Sequence, residues 1–516
     1  MPAFFRPTTT NVEIGDAELE VRTSVATRHV TLPGCGITYL CLYDDEIDQR
    51  TELFIRRLAM AGTEAIAPYL ELTDIAFIVR HDGSLSVMRG GACPIALYYC
   101  PTEKGLRFTT ALPVANTSRL SRRGIIMAVA AACQHSSYEP NAFTETPVAG
   151  WHRVRRASIN HFVANRLERC ELIDGRPVRT VSREEIAAEV RAAFMAYGNS
   201  QAGITRSVLE VSGGFDSTLA ATTLMARQDM HGISSVYPYY EFRDEVEVQA
   251  GVAGELGIPR TILDGTTLFP YAPSDEPVRW DEPSVYVTGI RHAEQVARFA
   301  SRHHAQRIYM GHGGDQCFAT DLTSREGLVR NPPGRGPFSA RSWAIVSAAT
   351  KATNASPWMA RSAGTFVYDA RQDLWVKERY GVTIRTPFSD LRIFQAGQLW
   401  SEHSAARGKR PDKSILVDAL GSYLPDAVVR RKGKTAYDGV WMRAYERHAT
   451  HIADCFDRAA ATLGHLGISA TWLIRRTRAL GAWKPVSDRE VLALYAVAFW
   501  ILAWELDRPE ELCWAP

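Results

Sequence analysis

The sequence predicts an α/β protein in two parts: residues 1–178 as a β-sandwich or α+β domain, and residues 179–516 as a doubly wound parallel sheet with a helical C-terminus. Three observations predict this. Strand–turn–strand signals crowd the first part. Val208 to Thr218 reads as a strand, a glycine turn and a helix start. Beyond it, apolar strands alternate with amphipathic helices, the pattern of a parallel sheet covered on both faces.

In chain order, Ile37 to Tyr43 is one apolar run. Asp74–Arg80 and Ser84–Arg89 flank His81-Asp82-Gly83, a strand–turn–strand with Asp-Gly at the turn. Pro94–Cys100 and Leu106–Leu112 make a second hairpin about Lys104-Gly105. Gly124–Cys133, apolar and Ala-rich, reads as a helix packed on a sheet. Gly175-Arg176-Pro177 marks the linker. Ser182 with Glu185 forms a capping box, and Ile186, Val190, Phe194 and Tyr197 then share one helical face up to Gly198. Strands follow at Val208, at Gly232–Tyr237 and at Arg307–Met310, with helices at Glu245–Leu256 and Gly289–Arg302. From residue 390 onward the chain reads as mainly helical, and Ser324–Ser339, with Pro332-Pro333-Gly334, reads as a loop.

Composition narrows the function. The chain has 516 residues, 46% of them hydrophobic and 22% charged, the balance of a folded protein with more than one core. A net charge of +2 without a basic block gives no reason to expect a nucleic-acid partner. The nine cysteines form no C-x-x-C pair, so neither a zinc site nor a disulfide framework is expected, and scattered thiols suit the cytoplasm. No secretory signal is expected at the N-terminus. The apolar run Val491–Trp504 falls short of the roughly 20 residues that cross a bilayer, so it is expected to be a core helix and no membrane partner is expected.

Val211-Ser212-Gly213-Gly214-Phe215-Asp216-Ser217-Thr218 has the parts of a phosphate cradle. Glycines let the backbone approach an anion, and the first helical N–H groups and the helix dipole favour its charge. Ser212, Ser217 and Thr218 add hydroxyl donors, and Asp216 is suited to hold the Mg²⁺ that accompanies nucleotide phosphates. It is not the G-x-x-x-x-G-K-[ST] loop of kinases and GTPases. A second turn, Met310-Gly311-His312-Gly313-Gly314-Asp315, also follows an apolar strand and supplies a second acid, Asp315.

These motifs resemble the N-type ATP pyrophosphatases, the group of asparagine synthetase, β-lactam synthetase, NAD synthetase and GMP synthetase. The resemblance implies ATP and Mg²⁺ as cofactors, with Gly213, Gly214, Gly311 and Gly313 around the nucleotide and Asp216 and Asp315 on the metal. His312 stands where β-lactam synthetases carry Tyr and asparagine synthetases Glu, and it is expected to be the base toward an attacking amine. In Tyr237-Pro238-Tyr239-Tyr240-Glu241, Tyr237 is expected beside the adenosine and Tyr239 and Glu241 beside the substrate. Asp281 and Glu282, within Trp280-Asp281-Glu282-Pro283, resemble the Asp-Glu-Pro that faces the acceptor pocket. Arg385-Thr386-Pro387-Phe388 matches a stretch read as mostly architectural. Arg430 to Gly439 resembles a segment whose lysine stabilises the oxyanion and leaving group; Lys432 and Lys434 both fit, with Lys434 preferred.

The first part is similar to the glutaminase half of asparagine synthetases, through Met88-Arg89-Gly90-Gly91, Pro94 to Tyr99 and Phe108-Thr109-Thr110. Gly90 replaces an Asp, and Pro2 stands where a glutaminase needs its cysteine nucleophile, so ammonia supply from glutamine is not expected. A glutaminase-like half without its nucleophile, Gly-His-Gly-Gly-Asp and the tyrosine-rich segment together resemble lasso-peptide macrolactam synthetases. That resemblance implies activation of an Asp or Glu side chain of a core peptide as acyl-AMP, followed by attack of the peptide's N-terminal amine. The implied partners are the precursor peptide, a leader peptidase and a leader-recognition protein. Alternatives are a small-molecule amide ligase of β-lactam synthetase or asparagine synthetase type, and a non-catalytic scaffold holding nucleotide or peptide.

Overall fold

The structure, a computed structural model, describes residues 9–41 (save 15–16, 23–24 and 33–34), 76–132 (save 82–83, 91–92, 94, 104 and 116), 144–172 (save 156–157), 181–224, 229–239, 243–319, 335–351, 370–429, 438–482 and 489–515. Three sheets carry it, and one of them is wholly parallel.

The first part is built from β1 (Thr9–Ile14), β2 (Ala17–Arg22), β3 (Ala26–Leu32), β4 (Cys35–Cys41), β5 (Ala76–His81), β6 (Ser84–Arg89), β7 (Tyr98–Thr102), β8 (Gly105–Thr109), helix α1 (Arg122–Ala132), β9 (His152–Arg153), β10 (Ser158–Val163) and β11 (Arg166–Leu172). One sheet runs β1-β2-β8-β7-β9 and the other β11-β10-β6-β5-β4-β3. Both expected hairpins form: β5 pairs antiparallel with β6, closing at His81↔Ser84, and β7 with β8, closing at Thr102↔Gly105. The second begins at Tyr98, four residues later than the sequence pattern indicates. The sheets share one core, in which Phe162 of β10 stands edge-on to Tyr99 of β7 and Phe108 of β8, 5.0 and 5.8 Å between ring centroids.

The second part opens with α2 (Arg183–Ser200), whose capping box is present as expected: the Ser182 hydroxyl accepts from the Glu185 N–H, and the Glu185 carboxylate from the Ser182 N–H. It continues through β12 (Arg206–Glu210), α3 (Phe215–Leu224), β13 (Asp229–Val236), α4 (Arg243–Glu255), β14 (Arg260–Asp264), α5 (Ile290–Arg302), β15 (Arg307–Tyr309), the short α6 (Gly314–Phe318), α7 (Ala340–Lys351), α8 (Ala370–Tyr380) and β16 (Thr383–Arg385). Helices α9 (Leu391–Ala405), α10 (Ser414–Leu420), α11 (Asp426–Val429), α12 (Asp438–Arg458), α13 (Ala460–His465), α14 (Ala470–Gly481) and α15 (Arg489–Ala503) complete it, so the end of the chain is helical as expected.

The sheet order β14-β13-β12-β15-β16 puts β12 at the centre. The chain leaves β12 toward β13 and β14, then returns to its other side for β15 and β16. That reversal is a topological switch point, where parallel sheets bind ligands at the carboxyl ends of their strands. Successive β12 residues face opposite layers: Val208 joins the core with Val296 of α5 and Val376 of α8, while Leu209 joins Phe194 of α2 and Leu219 of α3.

Three readings need correction. The helix after the glycine turn starts at Phe215, three residues before Thr218, because Asp216 and Ser217 already belong to its first turn. Helix α1 makes its largest contacts with α7 and α15, so the apolar Ala-rich face meets helices rather than a sheet. Strands β14 and β16 escaped the pattern: β16 is only three residues long and β14 has no fully buried position to mark it. The run Val491–Trp504 forms the buried α15, and no described helix is long and apolar enough to cross a membrane.

Candidate active site

Two glycine turns meet at the switch point. One follows β12 and the other β15, and the pairing Leu209↔Tyr309 sets the strand ends side by side. Val211 prolongs β12: its N–H donates to the Ile233 carbonyl and its carbonyl accepts from the Ser234 hydroxyl, both at 2.8 Å. Gly213 has φ of 71° and Gly313 of 101°, conformations that favour glycine. A Cβ on Gly311 would stand 2.3 Å from the Ser217 nitrogen, and one on Gly314 would stand 2.3 Å from the Asp216 carboxyl carbon. The missing side chains at 311 and 314 are what let the turns touch.

The hydroxyls divide by role. The Ser217 and Thr218 hydroxyls are buried and donate to the Gly214 carbonyl, at 3.1 and 2.9 Å. They build the turn. Exposed Ser212 accepts from the Gly214 N–H at 3.2 Å and shares a 2.9 Å hydrogen bond with the Ser217 hydroxyl. Of the three hydroxyls expected to face an anion, Ser212 is the one on the surface of the turn.

The two acids converge. Lys413, just ahead of α10, places its Nζ 2.8 and 2.7 Å from the two carboxylate oxygens of Asp216 and 2.7 Å from Oδ1 of Asp315. Their side chains are 18%, 44% and 22% exposed for Asp216, Asp315 and Lys413, so the cluster is neither sealed nor freely solvated. Burial pushes the Lys413 ammonium down, but the Asp216 and Asp315 carboxylates outweigh it and hold it above its ordinary value. Two carboxylates aimed at one cation fit Mg²⁺, which commonly takes one or two protein acids and completes its shell with phosphate oxygens and water.

His312 lies between the glycines of the second turn. Its carbonyl accepts from the Thr386 hydroxyl, and the Met310 N–H donates to the Arg385 carbonyl at 2.9 Å, so β16 fixes the turn from the side. This is the architectural role read for Arg385 and Thr386. Burial holds the His312 imidazole below its ordinary value, against the opposite pull of Asp315, and so keeps it neutral near pH 7.

No protein-family model matches the chain, and no curated protein matches it significantly. The functional reading therefore rests on this geometry and on the motifs.

The other expected site residues are distributed differently. Tyr237 follows β13 and lies against Phe269, 5.4 Å between centroids, and burial followed by the Glu210 charge pushes its hydroxyl up to about 12. Tyr239 stacks on the same Phe269 and lies under the Arg443 guanidinium, 3.7 Å from the ring centroid. Asp281 and Glu282 are buried at 4% and 1% exposure, and their carboxylates are engaged by the first part of the chain. Glu282 accepts from the Tyr98 hydroxyl at 2.9 Å, from Arg371 at 2.9 Å and from Arg153; Asp281 accepts from the Leu112 N–H at 3.2 Å. They join the two parts. Glu241, Lys432, Lys434 and most of the Ser324–Ser339 loop lie outside the described residues.

Below the turns, on the α5 face, lies a cavity of about 160 Å³ at the carboxyl ends of β12, β15 and β16. Tyr286, Val296, Met310 and Ile384 give it apolar walls, Glu210 and His292 give it a polar edge, and Gln372 adds a further polar group to the lining. The His292 Nε2 lies 3.2 Å from Glu210 Oε1 and 3.0 Å from the Ser235 hydroxyl. Burial raises the Glu210 carboxyl, and His292 partly offsets it.

Lys413, Glu210 and His292 are not among the residues the motifs point to. Glu210 carried a usable signal, since a carboxylate inside the run Val208-Leu209-Glu210-Val211 is out of place in a buried central strand. Lys413 and His292 carried none. Lys413 reaches the turns from 197 residues beyond Asp216, and His292 sits on an otherwise ordinary amphipathic helix.

Proposed function

We propose that the chain is an ATP-dependent amide-forming ligase that releases AMP and pyrophosphate, and that its substrate is the Asp or Glu side chain of a peptide closed into a ring by its own N-terminal amine. The observation that carries the ATP half is the convergence of Asp216 and Asp315, from two touching glycine turns, on a single cation position. ATP supplies the AMP that turns a carboxylate into an acyl group amines can attack. The backbone N–H groups at the start of α3 and the Ser212 hydroxyl would hold its phosphates, and Asp216 and Asp315 would hold Mg²⁺. Lys413 would then turn its ammonium from the carboxylates to the phosphates.

His312, neutral and next to Asp315 in the second turn, would take the proton from the amine. The peptide half of the proposal rests on the motif resemblance. A free amine and a carboxylate on one chain also make the reaction intramolecular, which favours closure over hydrolysis.

The test is mass spectrometry of the protein with ATP, Mg²⁺ and core peptides that carry a free N-terminal glycine and an internal Asp or Glu, alone and with a leader peptidase. A product lighter by one water, with AMP and pyrophosphate formed in step, is the expected result. AMP formation only with aspartate or a β-amino acid would move the substrate to small molecules. Absence of AMP under every condition would leave the scaffold reading.

A further inference from the structure

The cavity beside Glu210 has a composition the phosphate turns do not explain. Glu210 is the last residue of β12 and stands two positions before Ser212, roughly 7 Å along the strand from the phosphate turn. A nucleotide whose phosphates lie on that turn has this cavity within reach of its base. The apolar walls, Tyr286 and Val296 from helical elements and Met310 and Ile384 from the ends of the strands, suit a flat ring. The edge is polar and asymmetric. Oε1 of Glu210 is occupied by His292 Nε2, which is in turn close to the Ser235 hydroxyl, while Oε2 has no hydrogen-bond partner among the described residues.

We propose that Glu210, oriented by His292, is the specificity-determining residue for the nucleotide base, and that its Oε2 accepts a hydrogen bond from the exocyclic 6-amino group of a purine. This rests on the ATP reading above. A single free carboxylate oxygen matches a single amino donor. A 6-oxo purine would instead set its own acceptor against the carboxylate, leaving both unpaired. A largely covered Glu in a strand that otherwise carries Val and Leu is then explained by what it reads.

The test is calorimetric binding of ATP, inosine triphosphate and the 6-desamino analogue purine riboside triphosphate to the full chain with Mg²⁺. The intact protein is expected to favour ATP over both others by roughly ten- to a hundredfold, the range of a hydrogen bond to a charged group. Glu210→Leu should bind ATP and the desamino analogue alike. Glu210→Gln, which presents an amide donor, should recover binding of inosine triphosphate. His292→Gln should blunt the preference without abolishing ATP binding, and circular dichroism checks that each variant is folded.

Equal binding of the three nucleotides by the intact protein, or an unchanged preference in folded Glu210→Leu, would overturn the assignment and leave the ATP reading standing. A Glu210→Leu protein that binds ATP normally but fails only at ring closure would give the cavity to the amine substrate and overturn it too. Failure of the intact protein to bind any nucleotide would sink both.

Discussion

Two clusters of carboxylates and cations in this chain use the same chemistry to opposite ends. At the seam, Glu282 meets Tyr98, Arg153 and Arg371, with the side chains of Glu282 and Arg153 2% and 8% exposed. At the switch point, Asp216, Asp315 and Lys413 are 18% to 44% exposed. In the first cluster the carboxylate is engaged by partners from β7, β9 and α8, which ties the first part of the chain to the second. In the second, two carboxylates share the single Lys413 ammonium, and all three groups keep part of their solvent contact. What separates a structural ion pair from a candidate site here is solvent access and placement at strand ends, and residue type alone does not decide it.

The largest effect should come from breaking the seam. Glu282→Leu would take this carboxylate from the buried Arg153 and the partly buried Arg371, and urea denaturation should show a loss of about 3 kcal/mol. A loss below about 1 kcal/mol would mean that the seam is not load-sharing. Asp216→Asn should act on the other side of the comparison. It is expected to weaken Mg²⁺-dependent nucleotide binding by roughly 10- to 100-fold with a much smaller change in stability. Unfolding comparable to that of Glu282→Leu would erase the distinction between the clusters.

Lys413→Met sharpens the contrast further. In metal-free buffer it exposes two like charges to each other, and because both are partly solvated the expected loss is only about 1 kcal/mol or less. Added Mg²⁺ should restore the melting temperature of this variant more than that of the intact protein, since the divalent cation binds only the folded cluster. Equal Mg²⁺ responses would argue against a shared cation position.

The smallest effect is the pH dependence. Burial, His451 and Arg447 lower the His448 imidazole to about 4, and His312 and His451 are also held down by burial. The unfolded chain therefore binds more protons once pH falls below about 6.5. Stability should be fully present above that value and decline toward pH 4, and thermal melts of His448→Gln should decline less.

Much of the architecture was legible in the sequence because it rests on local rules. The capping box at Ser182 and Glu185, both hairpins and the strand–turn–helix at Val208–Thr218 depend on residues close together in the chain. Asp216 and Asp315 were legible for the same reason, each carried by its own glycine turn. The remainder depends on distant pairing. Nothing near Glu282 announces Tyr98 or Arg371 as its partners, and the Asp-Glu-Pro pattern gives the same letters whether the acids face a cleft or a seam. Lys413 and His292 take their meaning from strands far from them in sequence. The hydroxyls of Ser217 and Thr218 show a finer limit, because the turn that displays them also consumes them.

The proposed function requires the two glycine turns and their acids to form one Mg²⁺–nucleotide site. Isothermal titration of ATP into the intact protein, with and without Mg²⁺, and into Asp315→Asn tests it most directly. One ATP per chain is expected, bound only with Mg²⁺ and weakened at least tenfold in the variant. Equal ATP affinity with and without the metal, unchanged in Asp315→Asn, would contradict it.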